Sequence, residues 1–422
     1  MIRSWDEYNI RNVKRIPILE RGKGNHRNKI RYIDTVTAFD IETTLIKKYR
    51  QSVMYIWQFQ INNTTVIGRT WEDFQRFYER LNKAIPEDAM MVVYVHNLSY
   101  EFQFLKSIIP VDSVFAMDAR KILKFTSGKL EFRCSYIQSN MSLERFLMQM
   151  GVPAQKIKGF DYHKKRYSWT PLTDDELLYF INDVKGLRQA MIRRMAYNGD
   201  NLYTIPLTST GYSRRLAKAS LKGYQKYIHH MLPDLECFTA LRDEFRGGDT
   251  HAHRLNSNIL IKQPVESWDI SSSYPAVMLT ERFPREFVKA DPEYLVNYLN
   301  YGKACLFYIT LTNVRLKDQD HGDPYLSKAK CLQLSGETLD NGRILSAQRL
   351  RTCLNEIDFA IVNAEYVYDS YAVDNLWIAS KGLLPRSLRQ LIMDTYKDKT
   401  LLKGGDKEYE YQHAKALFNS YY

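Results

Sequence analysis

The chain has 422 residues, 45% hydrophobic and 26% charged, with a formal net charge of +12 and a sequence pI near 9.2. That length leaves room for two or three domains with cores of their own, and no apolar run approaches the roughly 20 residues of a membrane span. The polar N-terminus carries no signal-peptide pattern, and five scattered cysteines without metal-site spacing read as reduced thiols of a cytoplasmic protein. Basic charge combined with a 13% aromatic share, dominated by 30 tyrosines, suits a partner with phosphates and stackable bases.

Residues 1 to about 30 are basic and weakly patterned and read as an arm or loosely attached lead-in. A strand is expected over 35–43, where Asp40 and Glu42 lie two apart and leave one face. Two like charges at that distance repel unless a cation neutralises them, although a D-x-E pair alone is more often a solvated face. Strands at 53–60 and 65–68 form a hairpin about Asn62-Asn63. Thr70 then caps a helix over 71–83, with Asp73 at the reach-back position. The apolar run 90–95 is a strand leading into His96-Asn97-Leu98-Ser99-Tyr100-Glu101. Asn97 and Glu101 therefore sit at a strand's C-terminal end, where α/β sheets place their sites; Asn97 would serve equally as a helix cap.

A hairpin over 122–134 turns at Ser127-Gly128, and Ser142-Leu143 open a short helix that stops at Gly151. A polar loop with Lys156, Lys158, Asp161 and His163 leads to the capping box Thr173-Asp174-Asp175-Glu176. The helix that follows carries Tyr179 and Asp183 at i and i+4, able to hold a water and a metal, or simply to face solvent. Leu177, Ile181 and Val184 supply its apolar stripe.

Phe245-Arg246-Gly247-Gly248 reads as a bend where backbone approaches a phosphate, or as a plain turn. The alternation over 265–270 predicts a strand ending at Asp269, after which Ser271, Ser272 and Ser273 turn the chain and Pro275 stops the strand. An acid at a strand end, beside free backbone N–H groups and the Tyr274 ring, is either a seat for a metal-bound triphosphate or a half-buried strand that ends in Asp. Roughly a hundred residues then pass before the next recognisable element, a length that implies an inserted subdomain. Within it, short strands are expected around 304–316 and a helix near 354–364, with Asp318-Gln319-Asp320 in a charged surface loop. A final helix from about 406 to the end places Lys415 and Asn419 on one face.

In order, Phe39-Asp40-Ile41-Glu42-Thr43, Asn97-Leu98-Ser99-Tyr100-Glu101 and Tyr179-Phe180-Ile181-Asn182-Asp183 resemble the three exonuclease motifs of proofreading family B DNA polymerases. The family's second motif more often has Asp where this chain has Glu101. Asp269-Ile270-Ser271-Ser272-Ser273-Tyr274-Pro275 resembles polymerase motif A, with Ser273 in place of Leu, and Phe245-Arg246-Gly247-Gly248 resembles the YxGG element with Phe in place of Tyr. Lys415-Ala416-Leu417-Phe418-Asn419-Ser420-Tyr421-Tyr422 resembles motif B up to the residue before its glycine.

The resemblance implies a role for each matched residue. Asp40, Glu42, Glu101 and Asp183 would form the exonuclease carboxylate set, with Asp40, Glu42 and Asp183 as metal ligands, Tyr179 orienting the attacking water and Lys158 as the catalytic lysine. Hydrolysis of a phosphodiester by two metals about 4 Å apart asks for such a set. Asp269 would bind the polymerase metals, Tyr274 would pack under the incoming sugar, and Lys415 and Asn419 would bind the nucleotide. Thr43, Asn97, Tyr100, Ser142, Leu143, Arg246, Gly247 and Gly248 would contact DNA.

Within this resemblance, a long insertion after motif A implies the protein-primed, phage- or plasmid-type branch. The fold implied is α/β (α+β): a ribonuclease-H-like exonuclease domain (1–203), a linker and start of the palm with motif A (204–282), an inserted subdomain (283–380) and a truncated fingers helix with motif B (381–422). No second palm carboxylate motif, Y-x-D-T-D-S, is found, so the palm is expected to be incomplete and the chain to be an N-terminal fragment or split half. A stand-alone 3′–5′ exonuclease or an inactive DNA-binding accessory protein are the alternatives. The implied cofactor is Mg²⁺, two per site, with Mn²⁺ as a substitute. The implied partners are primer–template and single-stranded DNA, dNTPs, a terminal priming protein and a C-terminal half. The implied setting is viral or plasmid replication in the host cytoplasm, away from membranes.

Overall fold

In the computed structural model, which describes residues 1–20, 30–153, 161, 164–248, 250, 252, 254–320, 322–405 and 408–420, the chain divides into two units. One comprises residues 1–216 with 394–421, the other residues 217–393.

The first unit is built on a nine-stranded mixed sheet. Its strands are β1 (Ile2–Ser4), β2 (Arg31–Tyr32), β3 (Thr37–Ile46), β4 (Gln51–Ile61), β5 (Thr64–Gly68), β6 (Ala89–Val95), β7 (Ser113–Ala116), β8 (Ile122–Ser127) and β9 (Leu130–Cys134). Their order is β1-β5-β4-β3-β6-β9-β8-β7, with β2 beside β6. β3, β6 and β9 run parallel, flanked by the antiparallel strands β4 and β8. The helices are α1 (Arg11–Lys14), α2 (Trp71–Ala84), α3 (Leu98–Leu105), α4 (Ser135–Ser139), α5 (Leu143–Gln149), α6 (Asp174–Asn198) and α7 (Thr210–Ser220), the last four residues of α7 belonging to the second unit.

Period-two alternation sends each strand's side chains to two different cores. Phe39, Ile41, Met91, Val93 and Val95 pack with Phe74, Phe77 and Leu81 of α2 and Leu98 of α3. Ala38, Val92 and Tyr94 pack on the other face with Phe146 and Leu147 of α5 and Val184, Leu187 and Met191 of α6. Both expected capping boxes are present, Thr70 with Asp73 and Thr173 with Glu176. Residues 1–20 are not a loose arm: β1 pairs with β5, Tyr8 and Val13 are buried, and Arg80 donates to the Trp5 and Tyr8 carbonyls. Trp5, Tyr8, Ile10 and Val13 follow neither a period of two nor one of 3.6, so pattern reading passes over the apolar side chains that anchor this segment.

The second unit contains α8 (Gln225–His230), α9 (Leu235–Glu244), α10 (Ser273–Thr280), α11 (Leu295–Asn300) and α12 (Glu356–Glu365). Its strands are β10 (Phe283–Pro284), β11 (Val288–Ala290), β12 (Ala304–Leu316), β13 (Cys331–Ser335), β14 (Thr338–Asp340), β15 (Arg343–Asn355), β16 (Tyr366–Val367), β17 (Ser370–Ala379) and β18 (Lys381–Gly382). Seven form a sheet in the order β11-β17-β12-β15-β13, with β14 on β15 and β16 on β12, while β10 pairs with β18. The expected short strands around 304–316 are one continuous strand, bulged between Phe307 and Ile309 and held between β15 and β17. Phe307, Ile309, Leu311, Leu350 and Leu376 form its core.

The strand expected over 265–270 is absent. These residues belong to no strand or helix and are unpaired among the described residues, and all are exposed, Trp268 to 88%. Alternation permits a strand, but only a neighbouring ladder makes one, and none stands beside this run among the described residues.

Two helices complete the chain, α13 (Arg386–Leu402) and α14 (Glu408–Phe418). All five cysteines are free thiols, and among the described residues no helix is long and apolar enough to cross a membrane.

Candidate metal centre

Asp40 and Glu42 share the parity of Ala38 on β3, so both carboxylates emerge on the sheet face that α6 covers. The Thr173 cap fixes where α6 begins, and Val184, Leu187 and Met191 hold it on the sheet. Asp183 is thereby brought to the two strand carboxylates. One oxygen from each of Asp40, Glu42 and Asp183 lies within 4.8 Å of the other two, and all three residues are half-buried. Among the described residues this is the one group of three such side chains able to hold a metal ion.

The electrostatics follow from that crowding. Burial, then the charge of Asp183, pushes the Asp40 carboxyl well above its ordinary value. Burial, then Asp40 and Asp183, does the same to Glu42, opposed by the Arg166 guanidinium. Glu101, in the first turn of α3, is 4% exposed and raised by burial and then by Asp40; its Oε2 has no hydrogen-bond partner. A crowded, partly buried set of hard oxygen donors, of which Asp40, Glu42 and Glu101 are penalised by burial and neighbouring charge and Glu101 has an oxygen without a partner, fits a divalent cation. Asp40, Glu42 and Asp183 would hold it, with Glu101 alongside.

The residues around this centre come from the expected segments. The Thr43 and Tyr100 hydroxyls are 2.7 Å apart, joining the end of the D-x-E motif to α3. Asn97 occupies the N-cap position of α3 in the left-handed region (φ 71°, ψ 50°) without a side-chain cap bond. Tyr179 is half-buried, edge-on to Phe180. Ser142 caps α5 by accepting from the Arg145 N–H at 3.4 Å, and Leu143 packs partly buried behind it. Lys158 lies outside the described residues.

The structure adds two residues that the motifs do not contain. Gln58 stands opposite Asp40 in the β3/β4 register and is fully buried, with neither amide atom hydrogen-bonded. Cross-strand register is the signal that would have found it. Arg166, beside Glu42 in charge, donates to Glu176 through Nε and Nη2 at 2.9 and 2.7 Å. It falls in a loop with no periodicity to mark it.

In the second unit, Arg246 lies against Asp358, its Nε 3.5 Å from a carboxylate oxygen, and its guanidinium sits 5.2 Å from the Tyr325 ring centroid. Gly247 and Gly248 are exposed, and a Cβ at Gly248 would lie 3.9 Å from the Tyr274 hydroxyl, so the glycine turn and that ring are neighbours. Tyr274 sits in the first turn of α10 and is 56% exposed. Asp269 is exposed and belongs to no metal-holding acidic group among the described residues. Lys415 and Asn419 are exposed, the first on α14 and the second just past its end, with the Asn419 N–H donating to the Lys415 carbonyl at 3.0 Å.

No family sequence model and no curated protein sequence matches the chain. Among solved structures it is similar to phi29 DNA polymerase. With the polymerase complexed with primer-template DNA the TM-score is 0.66 at 16% identity, covering 91% of this chain and 66% of that one. With the orthorhombic form it is 0.64 at 17% identity, covering 91% and 67%. With the complex of single-stranded DNA it is 0.64 at 15% identity, covering 92% and 66%. This chain thus spans about two-thirds of the length of those polymerases, and at such identity the likeness is one of fold: a mixed α/β architecture similar to that of phi29 DNA polymerase.

Proposed function

We propose that the chain is a 3′–5′ exonuclease joined to a family B polymerase module of the protein-primed type, working on viral or plasmid DNA. The observation that carries the reading is the convergence of Asp40, Glu42 and Asp183, from motifs far apart in sequence, to within 4.8 Å. In this reading residues 1–203 are a ribonuclease-H-like exonuclease domain and 283–380 an insertion between polymerase motifs. Mg²⁺ is the natural ion for oxygen ligands of this kind, and when bound it would polarise the scissile phosphate and stabilise the leaving oxygen. The chain's own residues supply the rest. Tyr179 orients the attacking water, and Thr43, Tyr100, Asn97, Ser142 and Leu143 hold the single strand, with Lys158 completing the set. Asp269, Tyr274, Lys415 and Asn419 serve the nucleotide, and Arg246, Gly247 and Gly248 the template–primer. DNA, dNTPs and a terminal priming protein are the partners. The test is Mg²⁺-dependent digestion of a 5′-labelled single strand, which the Asp40→Ala/Glu42→Ala variant is expected to lose. Undiminished digestion by that variant would sink the assignment.

A second reading, an exonuclease that does not synthesise, is favoured by the exposure of Asp269 apart from any acidic group among the described residues. A labelled primer–template with Mg²⁺, with and without dNTPs, separates the two: extension supports the polymerase, and shortening in both conditions supports the exonuclease alone.

A further inference from the structure

The turn 167–170 follows Arg166 and is fastened to both strands that carry the metal centre's edge, all within the first unit. On β3, Thr44 lies two residues past Glu42; its hydroxyl donates to the Arg166 carbonyl at 2.7 Å and accepts from the Arg166 N–H at 3.0 Å. On β4, Tyr55 falls at the register shift between the partners of Glu42 and Thr43. Arg69 ties that point to the turn, donating from Nε to the Tyr55 carbonyl at 2.7 Å and from Nη2 to the Tyr167 and Thr170 carbonyls at 2.9 and 2.8 Å. Inside the turn, the Thr170 N–H donates to the Tyr167 carbonyl and the Tyr167 N–H to the Thr170 hydroxyl, both at 2.9 Å. What this tied backbone presents is Trp169, stacked on Tyr167 with ring centroids 4.9 Å apart and planes at 7°. The indole is still 76% exposed, although Trp side chains are on average highly buried. One face rests on Tyr167 and the other is open. Cations stand along the same strands: Lys165 precedes the turn, and Lys47, Lys48 and Arg50 lie three to six residues past Thr44 at the tip of the β3–β4 hairpin, all exposed.

We propose that the open face of Trp169 stacks on a base of the single strand whose scissile phosphate lies at the carboxylate centre. A flat aromatic face for a base, with cations nearby for phosphates, is the chemistry that recognises single-stranded nucleic acid without reading its sequence. A duplex keeps its base faces covered, so the platform selects strands whose bases are free. The fastening at Thr44 and Tyr55 fixes the ring relative to Glu42, so a base seated there sets how far the strand reaches into the centre. Trp169 is a positioning residue, since it holds the strand and touches no reacting atom. The proposal rests on the exonuclease reading above and adds to it a stacking subsite on residues outside every motif that suggested that reading.

The test measures single-strand binding by the full chain in EDTA, from the anisotropy of a 5′ label, and Mg²⁺-dependent digestion of the same strand. The strands carry 2-aminopurine or an abasic nucleotide at successive positions from the 3′ end, and the proteins are wild type, Trp169→Ala and Trp169→Phe. Trp169→Ala is expected to weaken binding about tenfold and to raise KM by a similar factor, with kcat within about twofold of wild type. Trp169→Phe, which keeps a stacking face, stays close to wild type. At one position 2-aminopurine emission is quenched by wild type and released in Trp169→Ala. An abasic nucleotide at that position costs wild type the same factor and costs Trp169→Ala nothing further. Two results overturn the proposal: Trp169→Ala binding and digesting like wild type, or penalties from the abasic nucleotide and from Trp169→Ala that add at every position. Either result with a wild type that digests the strand removes the stacking subsite and leaves the exonuclease reading standing. A wild type that neither binds nor digests single strands overturns both.

Discussion

Gln58 lies directly across the β3/β4 ladder from Asp40, and it is the member of the pair with no hydrogen bond to either side-chain atom. Opposite residues of an antiparallel pair share a face, so the amide borders the carboxylate cluster. Leaving such groups unmet costs about 1–3 kcal/mol each, and a role toward water or substrate at the centre is a physical reason for keeping them. Gln58→Leu is therefore expected to leave the Tm unchanged or to raise it by a few degrees, while slowing single-strand digestion about tenfold. Thermal unfolding and saturating kinetics on the same preparation check this. A raised Tm with unchanged turnover would reduce Gln58 to a packing residue.

The carboxylate cluster should leave a pH signature on stability. Burial and mutual charge raise Asp40 and Glu42 in the folded chain, so folding favours their protonated forms. The stability this contributes is fully present below the ordinary carboxylate value and is lost as pH rises through the raised one. In EDTA, Asp40→Asn should raise the Tm at pH 8 and flatten its fall between pH 5 and 8. Saturating Mg²⁺ should raise the wild-type Tm at pH 8 through binding to the folded state, and the shift should vanish in Asp40→Asn and Asp183→Asn. An equal Mg²⁺ shift in all three proteins would place the ion elsewhere.

The carboxylate cluster of the first unit was legible because its residues ride on regular elements. A spacing of two on β3 and of four on α6 determines which face each carboxylate takes, and Thr70 and Thr173 mark where helices begin. What pattern could not show is what each element lies against. Val265–Ile270 alternates as well as β3 does, yet it has no ladder partner among the described residues and stays exposed. Glu176 reads as half of a capping box, which it is, but not as the anchor of Arg166 and Lys164 from an unpatterned loop. Gln58 reads as a polar residue inside an apolar strand, and only the β3/β4 register puts it beside Asp40.

Glu176 accepts from Lys164 at 2.8 Å, from Arg166 and from the Thr173 N–H, while Arg166 is held beside Glu42. Burial alone would raise its carboxyl, but these donors prevail and bring it down to about 2. A depressed carboxylate contributes stability above its unfolded value that is lost as pH falls through the folded one, here between about 4.5 and about 2. Glu176→Gln should cost on the order of 3 kcal/mol at pH 7, because it removes the carboxylate that faces the 3%-exposed Arg166 side chain, and should flatten acid unfolding in that window. Urea titrations at pH 7 and pH 3 measure both. An equal loss at the two pH values would mean the ion pairs contribute nothing beyond the cap.

Gly186 lies one turn beyond Asp183, at the point where α6 meets α5. A Cβ there would come within 2.8 Å of Leu147 Cδ1 and 3.1 Å of Cδ2, and Leu147 is itself buried. In an exposed helix Gly→Ala gains about 1 kcal/mol of helix propensity, whereas overpacking a core costs about 1–3 kcal/mol. Overpacking should win here, so Gly186→Ala is expected to destabilise the chain by about 1 kcal/mol and to slow digestion as α6 shifts Asp183 away from β3. Leu147→Val removes the methylene in the way. In that background the same Gly186→Ala change should be neutral or stabilising, and turnover should recover. A double-mutant cycle in urea, with digestion rates on all four proteins, measures the coupling. Additive effects would mean that Leu147 does not limit how closely α6 approaches, and that the position of Asp183 is set from the sheet side alone.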